Sequence, residues 1–191
     1  FGEVNPGGRL PVSFPKSAGA MPYFYNHKLK SAGSPIHPEF GALFPFGHGL
    51  SYTSFDYSDF QVPHRKVRID GEIEVSCTVE NTGERAGDEV VQLYVRDLVA
   101  SLVRPIKELK GFKRLSLKPG ERKKVSFSLP VDLMSFTVSG TTRVVEPGEF
   151  EIMIGRSSAD ILFSETVEVT GKLRELPAKW RMKTEVSVAS A

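Results

Sequence analysis

The residues best equipped for chemistry in this chain are four histidines, one serine in a glycine-rich run, scattered carboxylates, a single cysteine and one aromatic loop. His27, His37, His48 and His64 are separated by ten, eleven and sixteen positions. Two imidazoles on one zinc ion usually stand about three to five residues apart, and thiolate pairs often complete the set. Neither pattern occurs here, so no metal is expected. Ser51 follows "GHGL", but "HGLSYT" lacks the glycine two residues after the serine that a nucleophile elbow uses for its strained turn. It reads as a turn or strand-entry residue. Hydrolysis by paired carboxylates needs an acid and a base flanking one bond within roughly 5–10 Å. The acids here fall on turns (Glu146, Glu149) or on the outward positions of an alternating strand (Glu72, Glu74, Glu80), where solvation is the default. No catalytic residue is assigned.

Cys77 alternates with charged and polar residues in step with Ile73, Val75 and Val79, so its thiol belongs on the apolar face of a strand. A lone cysteine also excludes an internal disulfide. The basic runs "HRKVR" (64–68) and "ERKK" (121–124) read as charged loops and as guards against edge pairing. The loop "MPYFYNHK" (21–28) sets Tyr23, Phe24 and Tyr25 beside Asn26, His27 and Lys28, apolar platforms next to hydrogen-bonding groups, which is the mix that holds a sugar. Tyr25, Asn26, His27 and Lys28 are therefore the candidates for a substrate rim. The alternative is a loop that packs its aromatics on a neighbouring domain.

The elements that would position these groups differ sharply along the chain. Residues 1–50 are rich in proline and glycine and have almost no periodicity, so they cannot readily enclose a core. They read as the end of a preceding domain and a linker, and the opening at Phe1 reads as a fragment's. From residue 51 to 171, short period-two segments separated by turns indicate an all-β, immunoglobulin-like or fibronectin type III-like β-sandwich with an irregular N-terminal extension. "DEVVQLYVRD" should be a central strand, covered on both faces. "KELKGFKRLSL", the turn "KPGE" and "RKKVSFSLP" read as a hairpin. "PVDLMSF" offers one helical turn with Asp132 as a cap. Residues 172–191 form a C-terminal tail, with Leu173, Leu176 and Trp180 as a strap and disorder expected after 182.

At the border lies "LFPFGHGLSYTSF" (43–55). Phe44, Phe46 and Tyr52 read as apolar anchors, and Gly47 and Gly49 as the positions that let the linker approach the sandwich closely. The run is a domain joint in this reading, with His48 only a polar neighbour.

Charge excludes some partners. Twenty-five Lys and Arg against 23 Asp and Glu leave a net +2, with no basic footprint for nucleic acid or an anionic membrane. No run approaches the roughly eighteen apolar residues that span a bilayer, and the compartment stays open.

"NPGGRLPVSFP", "YFYNHK", "LFPFGHGLSYTSFDYSD", "VENTGERAGDEVVQLYVRD", "RPIKELKGFKRLSLKPGERKKVSFSL" and "PGEFEIMIGRSS" stand in an order that resembles the closing part of glycoside hydrolase family 3 sequences, the β-glucosidase and β-xylosidase group. The resemblance covers residues 1 to about 170. It implies a three-part retaining β-glycosidase without cofactor, whose nucleophile and acid/base lie on domains outside this chain. It also implies that those N-terminal catalytic domains are the chain's partners, joined by a second subunit if the enzyme is a dimer, with oligosaccharide bound only through the parent. The chain departs from similar proteins in "LKSAGSPIHPEFGA", where a short turn with glycine and arginine often follows "NHK", and in Phe150, where many sandwiches place a corner tyrosine. The competing expectation is a freestanding carbohydrate- or protein-binding module that uses Tyr52, Tyr57 and Tyr94 as exposed aromatics.

Overall fold

A computed structural model describes residues 2–29 and 41–191. His37 in the metal search, and most of "LKSAGSPIHPEFGA", lie outside the described residues. In chain order the strands are β1 (Phe14–Pro15), β2 (Ala42–Phe44), β3 (Phe55–Gln61), β4 (Lys66–Arg68), β5 (Glu72–Asn81), β6 (Gly87–Asp97) and β7 (Glu108–Leu117). There follow β8 (Arg122–Pro130), β9 (Phe136–Ser139), β10 (Thr142–Val145), β11 (Gly148–Ser157), β12 (Asp160–Thr170), β13 (Arg174–Glu175) and β14 (Glu185–Ser190).

Two large sheets face each other, with orders β4-β12-β11-β6-β7 and β14-β8-β5-β3. The core between them is built by period-two faces: Ile73, Val75, Cys77 and Val79 from β5, Val91, Leu93 and Val95 from β6, Val125, Phe127 and Leu129 from β8, and Phe150, Ile152 and Ile154 from β11. Each such side chain contributes roughly 1.5–3 kcal/mol on burial. Cys77 is fully buried, and burial pushes its thiol up to about 12. The all-β sandwich expected from the alternation is the fold observed, and β6 is an interior strand between β11 and β7. Phe150 keeps the packing half of a corner tyrosine's role, since it is buried in the core.

Several local expectations are corrected. β7 and β8 are not a hairpin, because they lie in opposite sheets: β7 pairs with β6, and β8 with β5. The Lys118–Glu121 turn, with Gly120 at φ 71°, carries the chain across the sandwich. The reason is Asn81, fully buried at the end of β5, whose Nδ2 donates to the Leu117 carbonyl at 3.0 Å, while the Asn81 carbonyl accepts from the Gly120 amide at 2.8 Å. These bonds fasten the turn to β5.

Asp132 does not cap the 3₁₀ turn Val131–Met134. It is buried instead under the tail, accepting from the Arg174 guanidinium and, at 3.1 Å, from the Arg181 amide. The tail after residue 182 is not disordered, since β14 adds to the outer edge of β8 in antiparallel register from Glu185↔Ser128 to Ser190↔Lys123. Consequently Arg122–Lys124 lie on an interior strand and guard no edge. Residues 64–68 do stand at an edge: β4 pairs only with β12, and Arg65 and Lys66 are ion-paired to Glu165 and Glu168. The strap is partial. Trp180 lies under the Arg143 guanidinium at 5.1 Å and Leu176 packs on the core, whereas Leu173 is exposed.

Candidate functional site

The N-terminal segment has little regular structure, so its backbone groups must find partners elsewhere, and many find them against the sandwich. The Leu10 amide donates to the His48 carbonyl and the Gly47 amide to the Leu10 carbonyl, both at 2.8 Å, which ties the start of the segment to its end. Gly47 has φ 80°, a conformation suited to glycine, and its carbonyl accepts from Gln92 Nε2 at 3.2 Å. The same Gln92 nitrogen donates to the Arg156 carbonyl at 2.6 Å, and Gln92 Oε1 accepts from the Tyr94 hydroxyl at 2.6 Å. One buried amide on β6 thus fixes the segment, β11 and a buried tyrosine at once. The Phe46 carbonyl accepts from the Ser158 amide at 2.9 Å.

A charged contact reinforces this seam. Glu89 on β6 is 1 % exposed; Arg9 Nη2 donates to its Oε2 at 2.6 Å and the Tyr57 hydroxyl to its Oε1 at 2.9 Å. Burial raises the Glu89 pKa, with Arg9, Tyr57 and Arg156 acting in the opposite direction. A buried carboxyl with a raised pKa beside a cavity, here one of about 470 Å³ lined also by Asp56, Arg156 and Asp160, has the signature of an acid catalyst. Both its oxygens are engaged by the protein itself, however, so its chemistry is that of a fastening. Removing one member of such a pair strands the other, at a cost of about 3–5 kcal/mol.

A second charged group sits at the far end of β6. Asp97 and Arg104 are nearly buried and 4.0 Å apart, and Arg104 also donates to Glu108 at 3.1 Å and lies 4.5 Å from the Phe136 ring centre. Glu108 is paired in turn with Lys110 at 3.3 Å, whose pKa burial lowers. Among the described residues no group of three or more His, Cys, Asp or Glu could hold a metal ion.

The loop candidates divide. Tyr25 stacks on Phe46 with ring centres 4.2 Å apart, meets Tyr94 edge-on at 6.0 Å, and its hydroxyl accepts from the Leu109 amide at 3.0 Å. His27 is buried, with Nδ1 3.0 Å from the Lys28 carbonyl. Asn26 is half-buried and Lys28 exposed, the latter bridged to Pro105. At the joint, Phe46 is half-buried, Phe44 stacks on His48 at 5.5 Å while remaining 43 % exposed, and Tyr52 is 58 % exposed with its amide held by Asn5 Oδ1 at 2.8 Å. A Cβ on Gly49 would lie 2.7 Å from Arg9 Cδ and run into the Gly8 carbonyl. Of the aromatics expected to be exposed on a binding module, Tyr94 is fully buried and Tyr57 spends its hydroxyl on Glu89. Alternation alone placed Tyr94 opposite Leu93 without revealing that the N-terminal segment covers that face.

Comparison with known proteins follows the same division. Residues 1–52 match the glycosyl hydrolase family 3 C-terminal domain, and residues 89–158 match the fibronectin type III-like domain. A β-xylosidase of Formosa agariphila is 47 % identical over 177 residues, which are 90 % of this chain and 24 % of that protein. A periplasmic β-glucosidase of Salmonella typhimurium is 42 % identical over 174 residues, 84 % of this chain and 22 % of that one. The solved structure of a β-glucosidase from Erythrobacter marinus superposes with a TM-score of 0.83 at 40 % identity, covering 89 % of this chain and 22 % of the other. The chain therefore spans between a fifth and a quarter of these relatives' length. In sequence, in fold and in the order of its two matched parts, it belongs to glycoside hydrolase family 3, as the C-terminal region of that family's β-glucosidase and β-xylosidase type.

Proposed function

We propose that this chain is the non-catalytic C-terminal part of a retaining family 3 β-glycosidase that hydrolyses β-linked glucosides or related sugars, and that it stabilises the catalytic domains. The observation that carries this reading is the seam. Residues 1–52 match one domain of the family, yet Arg9, Phe46 and Gly47 are bonded to Glu89, Ser158 and Gln92, which supports a sandwich bolted onto the end of that domain. Phe44, Phe46, Gly47, Gly49 and Tyr52 act as the joint, with the domain border near residues 50–52. Asn26, half-buried, and Lys28, exposed, remain the rim candidates in this reading, while Tyr25 and His27 hold the loop.

In this reading the chemistry of hydrolysis lies elsewhere in the polypeptide, and the sealing of Glu89 by Arg9 and Tyr57 supports it. Incubating the purified 191-residue chain with an aryl β-glucoside should give no turnover above background. A rate abolished by substitution of Glu89 or Asp97 would overturn the proposal.

A further inference from the structure

The connection between β6 and β7 exposes an unusual amount of aliphatic surface. Val99 is 81 % exposed and Val103 65 %, with Leu98 and Leu102 also open, and Leu29 stands beside them at 62 %. The Ile106 amide donates to the His27 carbonyl at 3.0 Å and Lys28 bridges to Pro105, which brings the two segments together around a groove of about 620 Å³. Single exposed aliphatics are ordinary, but five around one groove form a patch of the kind that marks an interaction surface. A nearly buried cation lies beneath it. Arg104 has a side chain only 9 % exposed, and its Nε has no hydrogen-bond partner among the described residues, the nearest Asp97 oxygen being 4.0 Å away. Buried N–H groups are nearly always paired in a finished structure. The lining carries three cations, Lys28, Arg96 and Arg104, against one carboxylate, Asp97.

The groove is continuous with the seam, because Lys28 and Leu29 belong to the segment that matches the family 3 C-terminal domain. The relatives carry more than three quarters of their length outside the matched part. Resting on the function proposed above, we infer that residues 98–103 are the surface by which the sandwich docks on the rest of that domain in the same polypeptide. The surface it meets is apolar, matching the open Leu98, Val99, Leu102 and Val103.

Hydrogen exchange followed by mass spectrometry tests this on two proteins, the 191-residue chain and the full polypeptide that carries it. Amides 98–103 should exchange about tenfold or more slowly in the full polypeptide. A Val99→Asp, Val103→Asp variant should lose that protection while leaving β6 exchange in the 191-residue chain as in the wild type. Equal exchange of the loop in both unsubstituted proteins would overturn the inference, and so would protection that grows with protein concentration, which assigns the groove to a second copy. Activity of the short chain on the aryl glucoside tells only against the functional proposal, whereas the exchange comparison judges only the loop.

Discussion

Burial beneath the β6–β7 connection pushes the Asp97 carboxyl from 3.8 up to about 6; Arg104 lowers it, Glu146 and Glu108 raise it further, and the Val99 amide lowers it. The folded chain thus holds this proton more tightly than the unfolded chain does. Its stabilising effect is complete below about pH 4 and is lost as the pH rises through about 6. Relative to Asp97→Asn, the wild-type chain should lose about 1 kcal/mol or less between pH 5 and 7, the shift being discounted for the open groove alongside. Urea unfolding at the two pH values measures this, and identical slopes for both proteins would contradict it. Glu89 illustrates what was legible at this scale. It shares a strand face with Val91, Leu93 and Val95, so extending the alternation two residues back along β6 would have placed it inside. Arg9, its partner eighty residues away, carried no local signal, because only the closed fold brings them together.

Strands were legible wherever a period-two face met a clear turn, as in β5, β6, β8 and β11. Their pairing was less so. "KPGE" between two good strands looks the same whether the strands lie side by side or across the sandwich, and the deciding bonds come from Asn81, more than thirty residues upstream. "EVSVAS" alternates Val186 and Val188 with small polar residues, a pattern short and weak enough to pass for a frayed end. It is nonetheless a strand with six register pairs to β8. Truncation after Lys183 should expose the β8 edge, lower the melting temperature and promote self-association, since an open strand edge templates further pairing. Thermal unfolding and sedimentation check both effects, and a monomer with an unchanged transition would show that β14 adds nothing. Asp132→Ala should lower the melting temperature by less than the truncation, because Arg174 and the Arg181 amide lose their shared anchor.

At the scale of the molecule, the N-terminal segment and the sandwich are coupled at several places, among them Arg9 with Glu89, Gly47 with Gln92, and Tyr25 with the Leu109 amide. Composition set the segment apart, but it could not say that a stretch without a core of its own would pack on another. Gly49 is a sharp probe of that coupling. A valine there must displace the Gly8 carbonyl or the Arg9 side chain, and with it the hold on Glu89. Gly49→Val should destabilise the chain by on the order of 1–3 kcal/mol and speed exchange at the Leu10 and Gly47 amides before that of β6. Exchange that stays slow at those amides, with an unaltered melting temperature, would separate the glycine from the joint.

The position of β14 has a consequence for how the chain is made. Roughly fifty residues separate the end of β8 from β14, so a ribosome working at about 5–20 residues per second leaves the β8 edge uncovered for several seconds after that strand emerges. During that interval neighbouring nascent chains on one messenger present the same vacant edge and, soon after, the same closing strand. Exchange of β14 between them would reproduce every ladder bond of the native sheet in an entangled dimer.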